Sequence, residues 1–137
     1  MKRNLELIRE ILMDIESSKD LSWNALNNLY YKKWLTSELI TSKDKTTELN
    51  HQIELLQSSQ FFLTNLISIR RGIGTAVMSI SASFHGLSNK GHEYIESIRQ
   101  QEIWNSIKQD AINLSFDAIK QLSIELSKSY IKKKLGL

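Results

Sequence analysis

Neither cysteine nor proline occurs in the 137 residues, and glycine occurs only five times. Without cysteine there is no disulfide and no thiolate metal site, so a cross-linked secreted scaffold is excluded and packing must hold the fold. Without proline, helices can run uninterrupted. Long apolar runs are missing as well: the greasiest stretch, 61–69, is broken by Thr64, Asn65 and Ser68 and is far too short for a membrane span. The opening MKRNLELIREILMDIE spreads its charges at helical intervals and lacks the apolar core and small residues of a signal peptide, so a cytoplasmic address with no membrane contact is expected.

What is present has the balance of a folded protein, 41% hydrophobic and 24% charged, in the length of one ordinary domain. The net charge of +3 and pI near 9.1 are compatible with nucleic acid and equally common in other proteins. The cations gather as Lys2, Arg3 and Arg9 at the start, Arg70 and Arg71 in the middle, and Lys128 and Lys132 to Lys134 at the end.

Leu5, Ile8, Leu12 and Ile15 recur at steps of three and four and predict an amphipathic helix over 3–17. Residues 21–40, rich in Trp23, Tyr30, Tyr31 and Trp34, read as one helix or two short ones. After a polar break at 41–45, Thr46 or Thr47 is placed to cap a helix over 46–59, with Leu49, Ile53 and Leu56 inward and Thr47, His51, Glu54 and Ser58 outward. Residues 61–70 and 76–84 alternate β-formers with polar residues around Arg71-Gly72-Ile73-Gly74, the pattern of a β-hairpin. Ser88 and its neighbours then cap a helix carrying Tyr94, Ile95 and Ile98, which Trp104 and Ile107 extend past a weak point at Gln100 and Gln101. Ser115 caps a last helix that Gly136 stops.

Helix, helix, hairpin is the order of a winged helix-turn-helix. Leu87-Ser88-Asn89-Lys90-Gly91-His92-Glu93-Tyr94-Ile95, followed by Ile98-Arg99 and Trp104, resembles the LTxxGHEFL…IR…W signature of short bacterial and prophage proteins of unknown function related to the YjcQ-like winged-helix proteins. The openings Met1 to Arg9 and Ile11-Leu12, the segment His51 to Leu56 and the ending Lys132 to Leu137 are similar to that family too. Residues 18–45 match no pattern of it, and Asn89 stands where the family often has tryptophan. The resemblance implies a winged-helix fold and a phage or mobile-element origin, and no reaction.

The expected fold is therefore mainly α with a small β-hairpin (α+β): a winged helix-turn-helix over 1–100, with a helical extension over 101–137 serving as a dimerisation element. In such a domain the helix before the wing enters the major groove. Lys43, Lys45, Thr47, Asn50, His51 and Gln57 on or before that helix, with Arg70 and Arg71 at the wing, are the candidate duplex-DNA contacts. Glu48 and Glu54 on the same helix oppose a polyanion. Phe116, Ile119, Leu122, Leu126 and Tyr130 on the last helix are the candidate homodimer contacts. The three histidines share no ligand spacing, no nucleophile stands beside a base, and the Gly72–Gly74 turn lacks the lysine and threonine of a phosphate loop, so no metal, cofactor or catalysis is expected. The aromatic cluster Trp23, Tyr30, Tyr31 and Trp34 reads as core first and as a partner surface second. A DNA-binding regulator is the leading expectation, and an adaptor or inhibitor that binds a protein is the alternative.

Overall fold

Asn4 starts the first helix. Its Oδ1 accepts from the Leu7 amide at 3.1 Å, the third helical position, which satisfies one of the donors a helix start leaves open. The computed structural model describes residues 2–17, 24–63, 67–71, 77–82 and 86–136; over 24–29 and within the two strands it describes the backbone alone. Among the described residues the order is α1 (Leu5–Ser17), α2 (Asn24–Leu35), α3 (Lys45–Ser58), β1 (Ile67–Arg71), β2 (Val77–Ala82), α4 (Asn89–Ile98), α5 (Gln101–Ala111) and α6 (Phe116–Lys134). The chain divides into two units, Met1–His92 and Glu93–Leu137.

In the first unit α1, α2 and α3 pack on one another, and α3 also meets β2. Leu5, Leu7, Ile8, Ile11, Leu12 and Ile15 of α1 are buried, with Trp34 of α2 and Leu49, Ile53 and Leu56 of α3. Each such side chain contributes about 1.5–3 kcal/mol by leaving water. β1 and β2 pair antiparallel, Ile69 opposite Ile80, with a bulge between Arg70 and Arg71.

The fold class expected from the sequence is corrected here. Among the described residues six helices dominate and supply most of the core, so an α+β winged helix-turn-helix does not describe the fold. The alternating pattern overstated the sheet. Phe61 and Phe62, taken as the start of a strand, lie ahead of β1 and are buried side chains of a clasp in which the Leu63 amide donates to the Gly86 carbonyl and the Ser88 amide to the Phe61 carbonyl. The glycines of the expected turn, Gly72 and Gly74, lie outside the described residues.

Two further boundaries differ from expectation. Asp44, rather than Thr46 or Thr47, caps α3: its carboxylate accepts from the Thr47 amide at 3.0 Å and from the Thr47 hydroxyl at 2.7 Å, and these bonds hold its pKa below the ordinary carboxylate range. Helices α4 and α5 are separate elements, parted at Arg99 and Gln100. Ser115 does cap α6, accepting from the Ala118 amide at 3.1 Å.

In the second unit Ile103, Trp104, Ile107 and Ala111 of α5 are buried, as are Tyr94, Ile95 and Ile98 of α4 and Ile119 of α6. The Phe116 ring meets Tyr94 edge-on at 5.1 Å, the favoured aromatic geometry.

Candidate functional site

Helix α3 was expected to present polar side chains outward; of these Asn50 is buried, Thr47, His51, Glu54 and Gln57 are half-buried and Ser58 is exposed. Glu48, Asn50 and Gln52 are buried beside Leu49, Ile53 and Leu56. At roughly 100° per residue the buried arc runs about 200° round the helix, more than a single apolar stripe covers. A helix packed on several sides must satisfy its buried polar groups internally; α3 does so for Glu48 and Gln52, while Asn50 Nδ2 and Gln57 Oε1 are buried with no hydrogen-bond partner among the described residues. The Asn4 amide donates to Gln52 Oε1 at 2.8 Å, and Gln52 Nε2 donates to the Lys2 carbonyl at 3.1 Å. Asn4 Nδ2 donates to the Leu39 carbonyl at 2.8 Å. Glu48 Oε2 accepts from the amides of Thr41 and Ser42 at 3.1 and 3.2 Å. The Tyr31 hydroxyl donates to Asn50 Oδ1.

These bonds decide the fate of the expected DNA contacts. Asn50 is wholly buried and has no edge to offer a base; Thr47 is engaged with Asp44; His51 and Gln57 are half-buried. Lys43 and Lys45 are exposed ahead of and at the start of α3. Arg70 and Arg71 end β1, and their side chains lie outside the described residues. Sequence reasoning missed Asn4, Glu48 and Gln52; the signal was Glu48 and Gln52 at i,i+4 flanking Leu49 and Ile53. Replacing Glu48 with alanine should cost about 1–3 kcal/mol, because two amides lose a charged acceptor. Glu48→Gln should cost less, and urea unfolding followed by circular dichroism gives both values.

Of the aromatic cluster Trp34 belongs to the core, Tyr30 and Tyr31 are half-buried, and Trp23 lies outside the described residues. Trp34 is fully buried, and its indole N–H donates to Asp14 Oδ2 at 2.8 Å, while Lys33 Nζ reaches both Asp14 oxygens at 2.9 Å. His92 Nδ1 lies 3.3 Å from Glu16 Oε2 of α1. Glu93, its neighbour, accepts from Lys120 Nζ at 2.7 Å, and that bond pulls its carboxyl below the usual range. No group of three or more His, Asp or Glu side chains able to hold a metal occurs among the described residues, and none of the described helices is long and apolar enough to cross a membrane.

The expected dimer contacts on α6 fall mostly on the face that packs within its own unit. Ile119 is fully buried, Phe116 sits against Tyr94, and Leu126 and Tyr130 are half-buried, while Leu122 is exposed. The Tyr130 hydroxyl is hydrogen-bonded to Glu102, which raises its pKa, and Lys134 Nζ lies over the Tyr130 ring at 5.3 Å.

A neighbouring stripe of α6 is different. With α4 and the start of α5 it forms an open groove of about 600 Å³, entirely within the second unit, with Ile103, Ile124 and Ile131 as its apolar residues and Glu93, Glu96 and Lys120 among its charged ones. The Glu93–Lys120 bridge spans it between α4 and α6. This is a concave surface of apolar side chains rimmed by both signs of charge.

An uncharacterized protein of Haemophilus influenzae is 33% identical to this chain over 127 residues, covering 90% of this chain and 92% of its own length. No solved structure matches. A family model described as Hypothetical protein (DUF2513) matches residues 2–117. At that level the sequence resemblance to a family of unknown function holds, and the chain belongs to the DUF2513 family.

Proposed function

We propose that this chain is a non-enzymatic protein-binding module, an adaptor or inhibitor of bacterial, prophage or phage origin working in the cytoplasm, and that it receives an amphipathic helix in the groove between α4 and α6. One observation carries the reading: Ile103, Ile124 and Ile131 give the groove an apolar lining framed by Glu93, Glu96, Lys120 and Lys128, while Glu48, Asn50 and Gln52 of α3 are committed to the protein's own interior. Helix-in-groove recognition needs apolar anchors at i, i+3, i+4 and i+7 on the incoming helix and a charged rim that fixes its direction. The test is selection from a displayed library of helical peptides on the immobilised full chain. Enrichment of amphipathic sequences that is lost with Ile124→Glu supports the reading; no enrichment, or enrichment indifferent to Ile124→Glu, sinks it.

A second reading is duplex DNA, favoured by the exposed Lys43 and Lys45 at the entrance to α3 and by Arg70 and Arg71 at the end of β1. It predicts phosphate contact rather than base reading, since Asn50 is buried. Fluorescence anisotropy on a mixed-sequence duplex across a salt series should then show weakening with salt, with a shallower slope for Arg70→Ala/Arg71→Ala. Absence of binding at low salt removes this reading.

A further inference from the structure

We propose that the helix received by the groove is α6 of a second copy of this chain, laid antiparallel so that two copies exchange the same contact; this rests on the binding-module reading above. Ile119 and Ser123, both fully buried, mark the side of α6 that faces its own unit. Lys120, Ile124, Ser127 and Ile131 form a second stripe, roughly 100° further round the helix, and this stripe lines the groove. Leu135, four residues on, continues it. Ile131 is 56% exposed and Leu135 is 67% exposed, two large aliphatic side chains on one stripe.

Charge selects the occupant and its direction. From residue 126 on, α6 carries Lys128, Lys132, Lys133 and Lys134 and no acid. The α4 side of the groove carries Glu93 and Glu96, whose side chains are 60% and 69% exposed and which pair with Lys120 and Arg99 of the same chain. The two helices run along the groove in the same sense: Glu93 meets Lys120 at 2.7 Å, and Gln100 shares a pocket with Ser127 and Ile131. A second α6 laid parallel to the first would stack lysines on lysines. Laid antiparallel, it brings its lysine-rich end to Glu93 and Glu96, sets Ile124 of each copy opposite Ile131 of the other, and opposes the two helix dipoles. The arrangement is self-complementary, as a two-fold dimer requires.

Sedimentation velocity on the full chain should give a dimer whose weight-average mass falls twofold in Ile131→Glu/Leu135→Glu, with the helical circular dichroism unchanged. Glu96→Lys alone and Lys132→Glu/Lys133→Glu alone should each weaken the dimer, and their combination should restore it. The register has its own readout, because the chain has no native cysteine. Oxidation of Ile124→Cys/Ile131→Cys should give a covalent dimer, whereas either single variant should not, since like positions would then lie about 10 Å apart along the helix. A monomer at every concentration, or a dimer insensitive to Ile131→Glu/Leu135→Glu and cross-linked equally by the single variants, overturns the proposal. If the chain is monomeric while the peptide selection remains sensitive to Ile124→Glu, this inference falls and the binding-module reading stands.

Discussion

Replacing Trp34 with alanine is expected to destabilise the first unit by about 3–5 kcal/mol, the range for truncating a large aromatic in a packed interior. Trp34 is fully buried, its ring lies 6.1 Å from that of Tyr30, and its indole nitrogen donates to Asp14. Alanine opens a cavity between α1 and α2 and also takes a donor from a carboxylate whose side chain is only 17% exposed. Trp34→Phe separates the two effects. It keeps most of the volume and removes the N–H, and because Lys33 remains on both Asp14 oxygens the loss should be nearer about 1 kcal/mol. Urea midpoints of the three proteins decide the matter. Should Trp34→Ala unfold within about 0.5 kcal/mol of wild type, the size of an ordinary surface substitution, then Trp34 is not the core residue described here.

Gly91→Ala carries the other large expectation, and its sign runs against helix propensity. In an open helix alanine is the better residue by roughly 1 kcal/mol. Gly91 is the third residue of α4, where its amide donates to the Ser88 hydroxyl oxygen at 3.1 Å and its Cα faces the Phe61 carbonyl. A Cβ at that position would lie 2.3 Å from the Phe61 oxygen and 3.2 Å from the Leu87 Cβ. The obstructing atom is backbone, and it is held in place: the Ser88 amide donates to that carbonyl at 2.9 Å, and the Ser88 hydroxyl donates to the Gln60 carbonyl at 2.6 Å. Relief requires the clasp between 60–63 and 86–88 to shift, so a net loss of about 1–3 kcal/mol is expected, as for overpacked interiors. Lys90→Ala, one residue earlier and exposed, is the control and should change stability little. Equal or greater stability of Gly91→Ala would show that the clasp yields freely.

The residues that were legible in the sequence are those whose role is local. The α1 stripe, the Ser115 cap and the halt at Gly136 need only a period of 3.6 and one side-chain bond. Polarity on α3 was misleading because a period says which residues share a face, not how many faces are covered. Asn50 reads as a base contact and Glu48 as an acid opposing a polyanion until Tyr31 and the amides of Thr41 and Ser42 are brought against them. Asp44 was passed over for Thr46 and Thr47 as the α3 cap because all three are good capping residues, and only the observed bonds choose among them. Phe61 and Phe62 drew the first strand too early, since an aromatic pair fits a pleated surface and a buried clasp equally well. The groove of the second unit was not legible at all. Its two sides, the Glu93–Gln100 stripe and the Lys120–Ile131 stripe, lie beside the residues that appeared to define each helix but on another face of it, and the Glu93–Lys120 bridge shows that they meet.

The ties between Lys2, Asn4 and Gln52 also bear on how the protein is made. The bonds from the Asn4 amide to Gln52 and from Gln52 to the Lys2 carbonyl join positions 48 and 50 residues apart in the chain. At roughly 5–20 residues per second a ribosome delivers Gln52 several seconds after Asn4. During that interval α1 has its own cap, because Asn4 Oδ1 to Leu7 is local, and α2 can already reach it, but the Asn4 backbone amide still lacks its acceptor on Gln52. Closure of the first unit therefore waits on the synthesis of α3.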